Sequence, residues 1–118
     1  MAPATAALVQ ANHLAKGDVL ATARFAALQV LAGTDVVRAT LAPSAQVELR
    51  VTASGVDIDV EVASGDASLA ATQAMACASV AALTVYDMCK AVDRTMAVAE
   101  VALVETSSNG RLDWRRSD

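Results

Sequence analysis

Gln46-Val47-Glu48-Leu49-Arg50-Val51-Thr52-Ala53-Ser54-Gly55-Val56-Asp57-Ile58-Asp59-Val60-Glu61-Val62-Ala63-Ser64 is the stretch around which the rest of this chain must fold. Val47, Leu49 and Val51 alternate with Glu48 and Arg50. After Ser54-Gly55, Val56, Ile58, Val60 and Val62 alternate with Asp57, Asp59 and Glu61. A period of two sends each set to one face of a strand, and Ser54-Gly55 supplies the turn. The reading is an antiparallel hairpin with one apolar and one wet face. An apolar sheet face needs a covering layer, and the flanking segments provide helices for it.

Upstream, Pro3 to Ala15 reads as a short helix. Proline suits its first turn, and Leu8, Val9 and Leu14 form a loose apolar stripe. Lys16-Gly17-Asp18 breaks it, and Asp18 suits the N-cap of a second helix from Val19 to about Ala32. Leu20, Phe25, Leu28 and Leu31 are its expected buried face, and Gly33 is suited to end it in a left-handed cap. Asp35 to Pro43 reads as irregular or as a short edge segment. Downstream, Ser64-Gly65-Asp66 is a turn. Ala67 to Val92, free of Gly and Pro, reads as an Ala-rich helix of ~25 residues. Thr95 to Val104 reads as a last strand with Met96, Val98, Val101 and Leu103 apolar, and Glu105 to Asp118 as a polar tail. The order helix, helix, strand, strand, long helix, strand predicts an α+β fold, an antiparallel sheet with helices on one side. One domain over 1–118 accommodates it.

Composition narrows the function classes. The 118 residues are 55% hydrophobic and 3% aromatic, too apolar for a disordered chain. The apolar stretches are interrupted within about ten residues, against a membrane-spanning helix of ~20. Met1 to Gly17 has neither a basic n-region nor a long apolar h-region, so a soluble, cytoplasmic protein is expected. Ala and Val do most of the packing, and an oligomer is expected to complete the burial. A net charge of -4, with dense basic residues only at Arg111, Arg115 and Arg116, argues against nucleic-acid binding.

Few residues offer chemistry. Cys77 and Cys89 stand twelve apart on the expected long helix, ~18 Å along its axis and beyond disulfide reach. Without a Cys/His cluster they make no zinc site. His13 is the single histidine, so no Ser-His-Asp triad is present, and it reads as solvent-facing or capping. Lys16 and Lys90 are the only lysines beside seven arginines. Arginine cannot replace lysine where a compact ammonium of adjustable pKa is needed. Asp87 lies three residues before Lys90, on the same helix face. Such a pair is either a solvated ion pair or, covered by a neighbour, an acid/base or phosphate-binding pair.

Two stretches carry a resemblance. Lys16-Gly17-Asp18-Val19-Leu20-Ala21-Thr22-Ala23-Arg24 and Ala78-Ser79-Val80-Ala81-Ala82-Leu83-Thr84-Val85-Tyr86-Asp87-Met88-Cys89-Lys90-Ala91 resemble the signature stretches of the molybdenum cofactor biosynthesis protein C family, the cyclic pyranopterin monophosphate synthases. The resemblance extends thinly over the whole chain. It implies a ferredoxin-like α+β fold and a hexamer, a trimer of dimers, with active sites at subunit interfaces. It implies rearrangement of a cyclic dihydro-GTP intermediate with loss of pyrophosphate, and no cofactor or metal. Lys16, Asp87 and Lys90 would do acid/base work and contact the triphosphate, and Arg24 would bind substrate.

Other stretches depart from the family. Thr40-Leu41-Ala42-Pro43-Ser44 stands where the family carries Leu-Cys-His-Pro-Leu. Leu69-Ala70-Ala71-Thr72-Gln73-Ala74 replaces Gly-Val-Glu-Met-Glu-Ala, and Glu105-Thr106-Ser107-Ser108-Asn109-Gly110-Arg111 replaces Lys-Ser-Gly-Gly-Lys-Ser-Gly. The family's basic arm before its first helix has no counterpart. Ala42, Ala71 and Gln73 thus stand in place of an imidazole and two carboxylates that grip a guanine-like ring. Three readings remain: a divergent member with weak or lost synthase activity that pairs with an intact paralogue; an enzyme with changed chemistry on another purine nucleotide or pterin phosphate; and a structural hexamer. Retention of Lys16, Asp87 and Lys90 favours the first two, and the three are expected to converge in one pocket at a subunit interface.

Overall fold

A computed structural model describes residues 1–32, 44–64 and 67–117. The central hairpin forms as its alternation requires. β1 (Ser44–Val51) and β2 (Val56–Ala63) pair antiparallel, in register from Ser44↔Ala63 to Val51↔Val56. The connecting loop is held by the Thr52 N–H donating to the Gly55 carbonyl at 2.8 Å. On the inner face Val47 and Leu49 are buried, while Val56, Ile58, Val60 and Val62 are half-buried. On the wet face Glu48 lies opposite Asp59, a like-charge pair that costs stability. Arg50 offsets it by reaching Asp59 at 2.5 Å and Glu48 at 3.4 Å.

Two helices cover the apolar face. α2 (Val19–Ala32) packs on β1 and on the long helix α3 (Ala67–Cys89), which also lies against β2. Val19, Ala23, Ala27 and Leu31 face inward from α2, and Cys77, Ala81, Val85, Met88 and Cys89 from α3. Ala23, Ala27, Cys77 and Ala81 are fully buried, so small side chains let the two helices approach closely. The expected buried face of α2 is therefore corrected. Leu31 belongs to it and Leu20 is partly buried, but Phe25 is 63% and Leu28 40% exposed. The four-residue step of small and branched side chains wins the helix contact, and the larger residues turn outward.

α1 (Pro3–Ala11) ends four residues before the expected Ala15. Asn12 adopts the left-handed conformation (φ 58°, ψ 43°), its N–H donating to Val9, and the His13 N–H donates to the Leu8 carbonyl. This is a Schellman-type end. Leu14 is still buried and His13 is exposed. α3 likewise stops at Cys89 rather than Val92.

The C-terminal third departs most. Residues 95–104 have no strand assignment and pair with no strand among the described residues, so the expected Thr95–Val104 strand is not formed. The expected polar tail instead holds β3 (Glu105–Ser108) and β4 (Arg111–Arg115), an antiparallel hairpin. Its turn is Asn109-Gly110, both with positive φ (52° and 76°), the pair that a primed two-residue turn demands. Length and composition also correct the reading of α3. Leu69–Cys89, 21 residues, is long and apolar enough to cross a membrane. It packs on α2 and β2 along one face, and Ser79 and Thr84 return their hydroxyls to the carbonyls of Met75 and Val80. Gly33, Asp35 to Pro43, and Gly65-Asp66 of the expected turn lie outside the described residues. The whole is an α+β fold with antiparallel pairing and one long central helix, consistent with the ferredoxin-like class.

Candidate functional site

Lys16 sits at the sharp entry to α2. Gly17 has φ 109°, a conformation that L side chains avoid, and this lets the chain reverse between α1 and α2. Asp18 then caps α2, its Oδ1 accepting from the Ala21 N–H at 3.0 Å. Asp87 and Lys90 come from the end of α3. The Lys90 Nζ lies 2.9 Å from Asp87 Oδ1, and the Lys16 Nζ donates to the Asp87 carbonyl at 3.1 Å. The fold thus brings together three groups from segments 71 residues apart. Both ammonium groups sit at the α3 C-terminus, where the helix dipole favours cations.

Lys90 and Asp87 are more than half exposed, so within one subunit they meet on an open surface rather than in a pocket. The hydrogen bond from Lys90 and the charge of Lys16 hold the Asp87 carboxyl below its ordinary range. The hydrogen bond with Asp87 in turn raises Lys90 above the usual lysine value. Both groups are firmly ionised at neutral pH. As they stand, the three present a net single positive charge with free ammonium protons, suited to gripping phosphate oxygens.

Arg24 takes a different place. Its Nε donates to the Val47 carbonyl at 2.9 Å, tying α2 to β1. Among the described residues no hydrogen bond or ion pair joins it to Lys16, Asp87 or Lys90. At the other end of α3 lies a cavity of about 240 Å³ lined by Val30, Leu31, Leu69, Thr72, Gln73 and Ala76. The Gln73 Oε1 is buried without a hydrogen-bond partner. Fourteen residues of helix separate Gln73 from Asp87, ~21 Å. The departing residues at 71 and 73 and the retained lysines therefore cannot close on one small ligand within a subunit. Thr40-Leu41-Ala42-Pro43 lies outside the described residues.

Sequence reasoning missed two features. Asp93, buried just past α3, accepts the Ala2 N–H at 2.8 Å and the Thr95 N–H at 2.8 Å, as well as the Thr95 hydroxyl. These bonds, the Thr95 hydroxyl foremost, hold its carboxyl well below the carboxylate range. The Asp93-Arg94-Thr95 spacing is the local signal that marks it. The other is the C-terminal hairpin, signalled by Asn109-Gly110. Burial pushes the thiols of Cys77 and Cys89 up, Cys89 also by the charge of Asp93, and both are free. Among the described residues no group of three or more His, Cys, Asp or Glu is placed to hold a metal.

Fold and surface together define an α+β protein whose long central helix ends beside an exposed cluster of two lysines and one aspartate. The MoaC family profile matches residues 1–109. A cyclic pyranopterin monophosphate synthase of Desulforamulus reducens is 37% identical over 98% of this chain and 74% of its own length. The synthase of Chloroflexus aurantiacus is 35% identical over 98% of this chain and 75% of its own. A molybdenum cofactor biosynthesis bifunctional protein of Chlorobaculum tepidum is 39% identical over 87% of this chain, which spans about a third (34%) of that protein. The chain belongs to the MoaC family.

Proposed function

We propose that this chain is a divergent MoaC-family protein that binds a phosphorylated purine or pterin at a site completed by another subunit, with little synthase activity of its own. The observation that carries this is the convergence of Lys16, Asp87 and Lys90 from distant segments onto one exposed face. Two ammonium groups repel each other, and one carboxylate offsets only part of that, so a bound anion completes the balance. The ~21 Å along α3 between Gln73 and Asp87 supports a shared site, because a second copy can bring its own helix end beside the first. A hexamer fits this reading, as does pairing with an intact paralogue. The protein is proposed to be soluble and cytoplasmic, with no membrane or nucleic-acid partner.

A second reading, changed chemistry, is favoured by Gln73. Its amide stands where the family carries an anionic side chain, beside a cavity whose other lining is uncharged, and so suits a neutral or less basic ring. Calorimetric titration at low salt with pyrophosphate, GTP and a pterin phosphate separates the readings. Salt-sensitive binding that weakens with Lys90→Ala, and that Lys90→Arg does not fully restore, supports the anion site. Absence of heat and thermal shift with all three ligands leaves the structural hexamer as the better reading.

A further inference from the structure

α3 carries a second stripe, on the side away from the core. Thr72, Ala76, Ser79, Leu83, Tyr86 and, just past the helix end, Lys90 follow one another at alternating steps of four and three residues, the spacing of a coiled-coil seam. Ser79 lies two residues from the buried Cys77 and Ala81, and Leu83 two residues from the buried Ala81 and Val85. Two residues turn a helix by about 200°, so the seam is opposite the packed face. Leu83 is 58% and Tyr86 37% exposed. Thr72 and Lys90 are exposed, and Ala76 and Ser79 half-buried. From Ala67 to Tyr86 the helix carries no charge, so a second helix laid on the seam meets no like charge there.

The seam is uneven along its length, and this selects its occupant. Its first half is small (Thr72, Ala76, Ser79) and its second half large (Leu83, Tyr86). Such a stripe fits a second copy of itself run antiparallel, each large half over the other's small half, which is the self-complementarity a two-fold contact requires. A two-fold axis between Ser79 and Val80 sets Leu83 over the partner's Ala76 and Tyr86 over the turn at the partner's Gln73. The uncovered area is sufficient. The chain leaves 7727 Å² accessible at a mass of 12.0 kDa, about 1,700 Å² above the ~6,000 Å² of a finished monomer of that mass. A stable pair withdraws about 800 Å² from each partner.

We propose that two copies of this chain pair through the outward seams of their α3 helices, antiparallel about a two-fold axis between Ser79 and Val80. The proposal rests on the shared-site reading above and assigns its surface. The same axis sets Asp87 opposite the partner's Thr72 and Lys90 opposite the partner's Leu69. Leu69, Thr72 and Gln73 line the cavity of about 240 Å³. The lysine cluster of each copy therefore lies at the mouth of the other's cavity, and the ~21 Å between them within one subunit is closed between two. One pair holds two such sites. Their lysine clusters stay ~30 Å apart along the helices, so pairing brings no ammonium groups of the two copies together.

The test is sedimentation equilibrium of the full chain and its variants, with circular dichroism to check that each keeps its helices. Leu83→Glu is expected to weaken association by at least about tenfold, and adding Ala76→Lys to it to recover most of the loss. Positions 76 and 83 are ~10 Å apart along one helix and meet only between copies, so the recovery reports the antiparallel register. Ser79→Cys, a near-isosteric change beside the axis, is expected to give a disulfide-linked dimer on mild oxidation. The unaltered chain, whose Cys77 and Cys89 are free and buried, is expected to give none. GTP affinity, titrated at low salt, is expected to fall about tenfold in Leu83→Glu. Association unmoved by Leu83→Glu, with no cross-link through Ser79→Cys, means that something other than a second copy covers the seam. That result overturns the pairing and leaves a shared site to another face. Dissociation with unchanged GTP affinity overturns the shared site and leaves the pairing. A monomer at every concentration overturns both.

Discussion

Asp93 shows how much one side chain can organise. Its two oxygens bind the backbone of Ala2 and the backbone and hydroxyl of Thr95, so the chain's first residues and the segment after α3 are held at one point. Because the folded carboxyl titrates well below its unfolded value, the contribution is complete above an unfolded pKa of about 3.9. It is lost as pH falls through the folded value. Asp93→Asn is therefore expected to lower the melting temperature at pH 7, with the gap to wild type narrowing as pH drops below about 5. Thermal melts from pH 7 to pH 3 check this, and a gap that widens with acid contradicts it. The Asp87–Lys90 pair is exposed and solvated, so its removal belongs to binding rather than to stability.

The contact between α2 and α3 depends on what is missing from its side chains. Ala23 and Ala27 meet a helix that presents Cys77 and Ala81, all fully buried. Interiors are packed at crystal-like density, so there is no room for added volume. Ala81→Leu is expected to destabilise by about 1–3 kcal/mol, read as a shifted midpoint in urea unfolding. Leu83→Ala, on an exposed position of the same helix, is expected to change the midpoint far less. The outward positions Leu69, Leu83 and Tyr86 continue the apolar character of α3 beyond its own fold.

The whole molecule is looser than its length requires. Its radius of gyration is 15.5 Å, with extents of 43 × 37 × 19 Å, whereas a compact domain of this length has about 13.5 Å. Among the described residues the segment 95–104 joins no strand and every residue of β4 is exposed, in keeping with this extended shape. Light scattering at micromolar concentration is expected to show an oligomer, most simply a hexamer. Turnover of the cyclic dihydro-GTP intermediate by the protein alone is expected at least ~100-fold below that of a relative that keeps the imidazole and both carboxylates. A rate equal to such a relative contradicts weakened activity.

Period-two alternation in 46–63 was enough to place the hairpin and its wet face, because side-chain direction in a strand depends only on parity. Asp18 as a cap and the long Ala-rich helix were equally legible, since caps and propensity act within a few residues. The Lys16, Asp87 and Lys90 types were readable too, but their meeting was not. It depends on how α2 is laid across α3, a contact between segments far apart in the chain. The buried face of α2 also belonged to the tertiary structure, because size-based expectation favoured Phe25 and Leu28 where close helix approach required alanine. Strand formation in 95–104 failed for the converse reason. A strand needs a neighbour to take its backbone hydrogen bonds, and none of the described strands pairs with this segment.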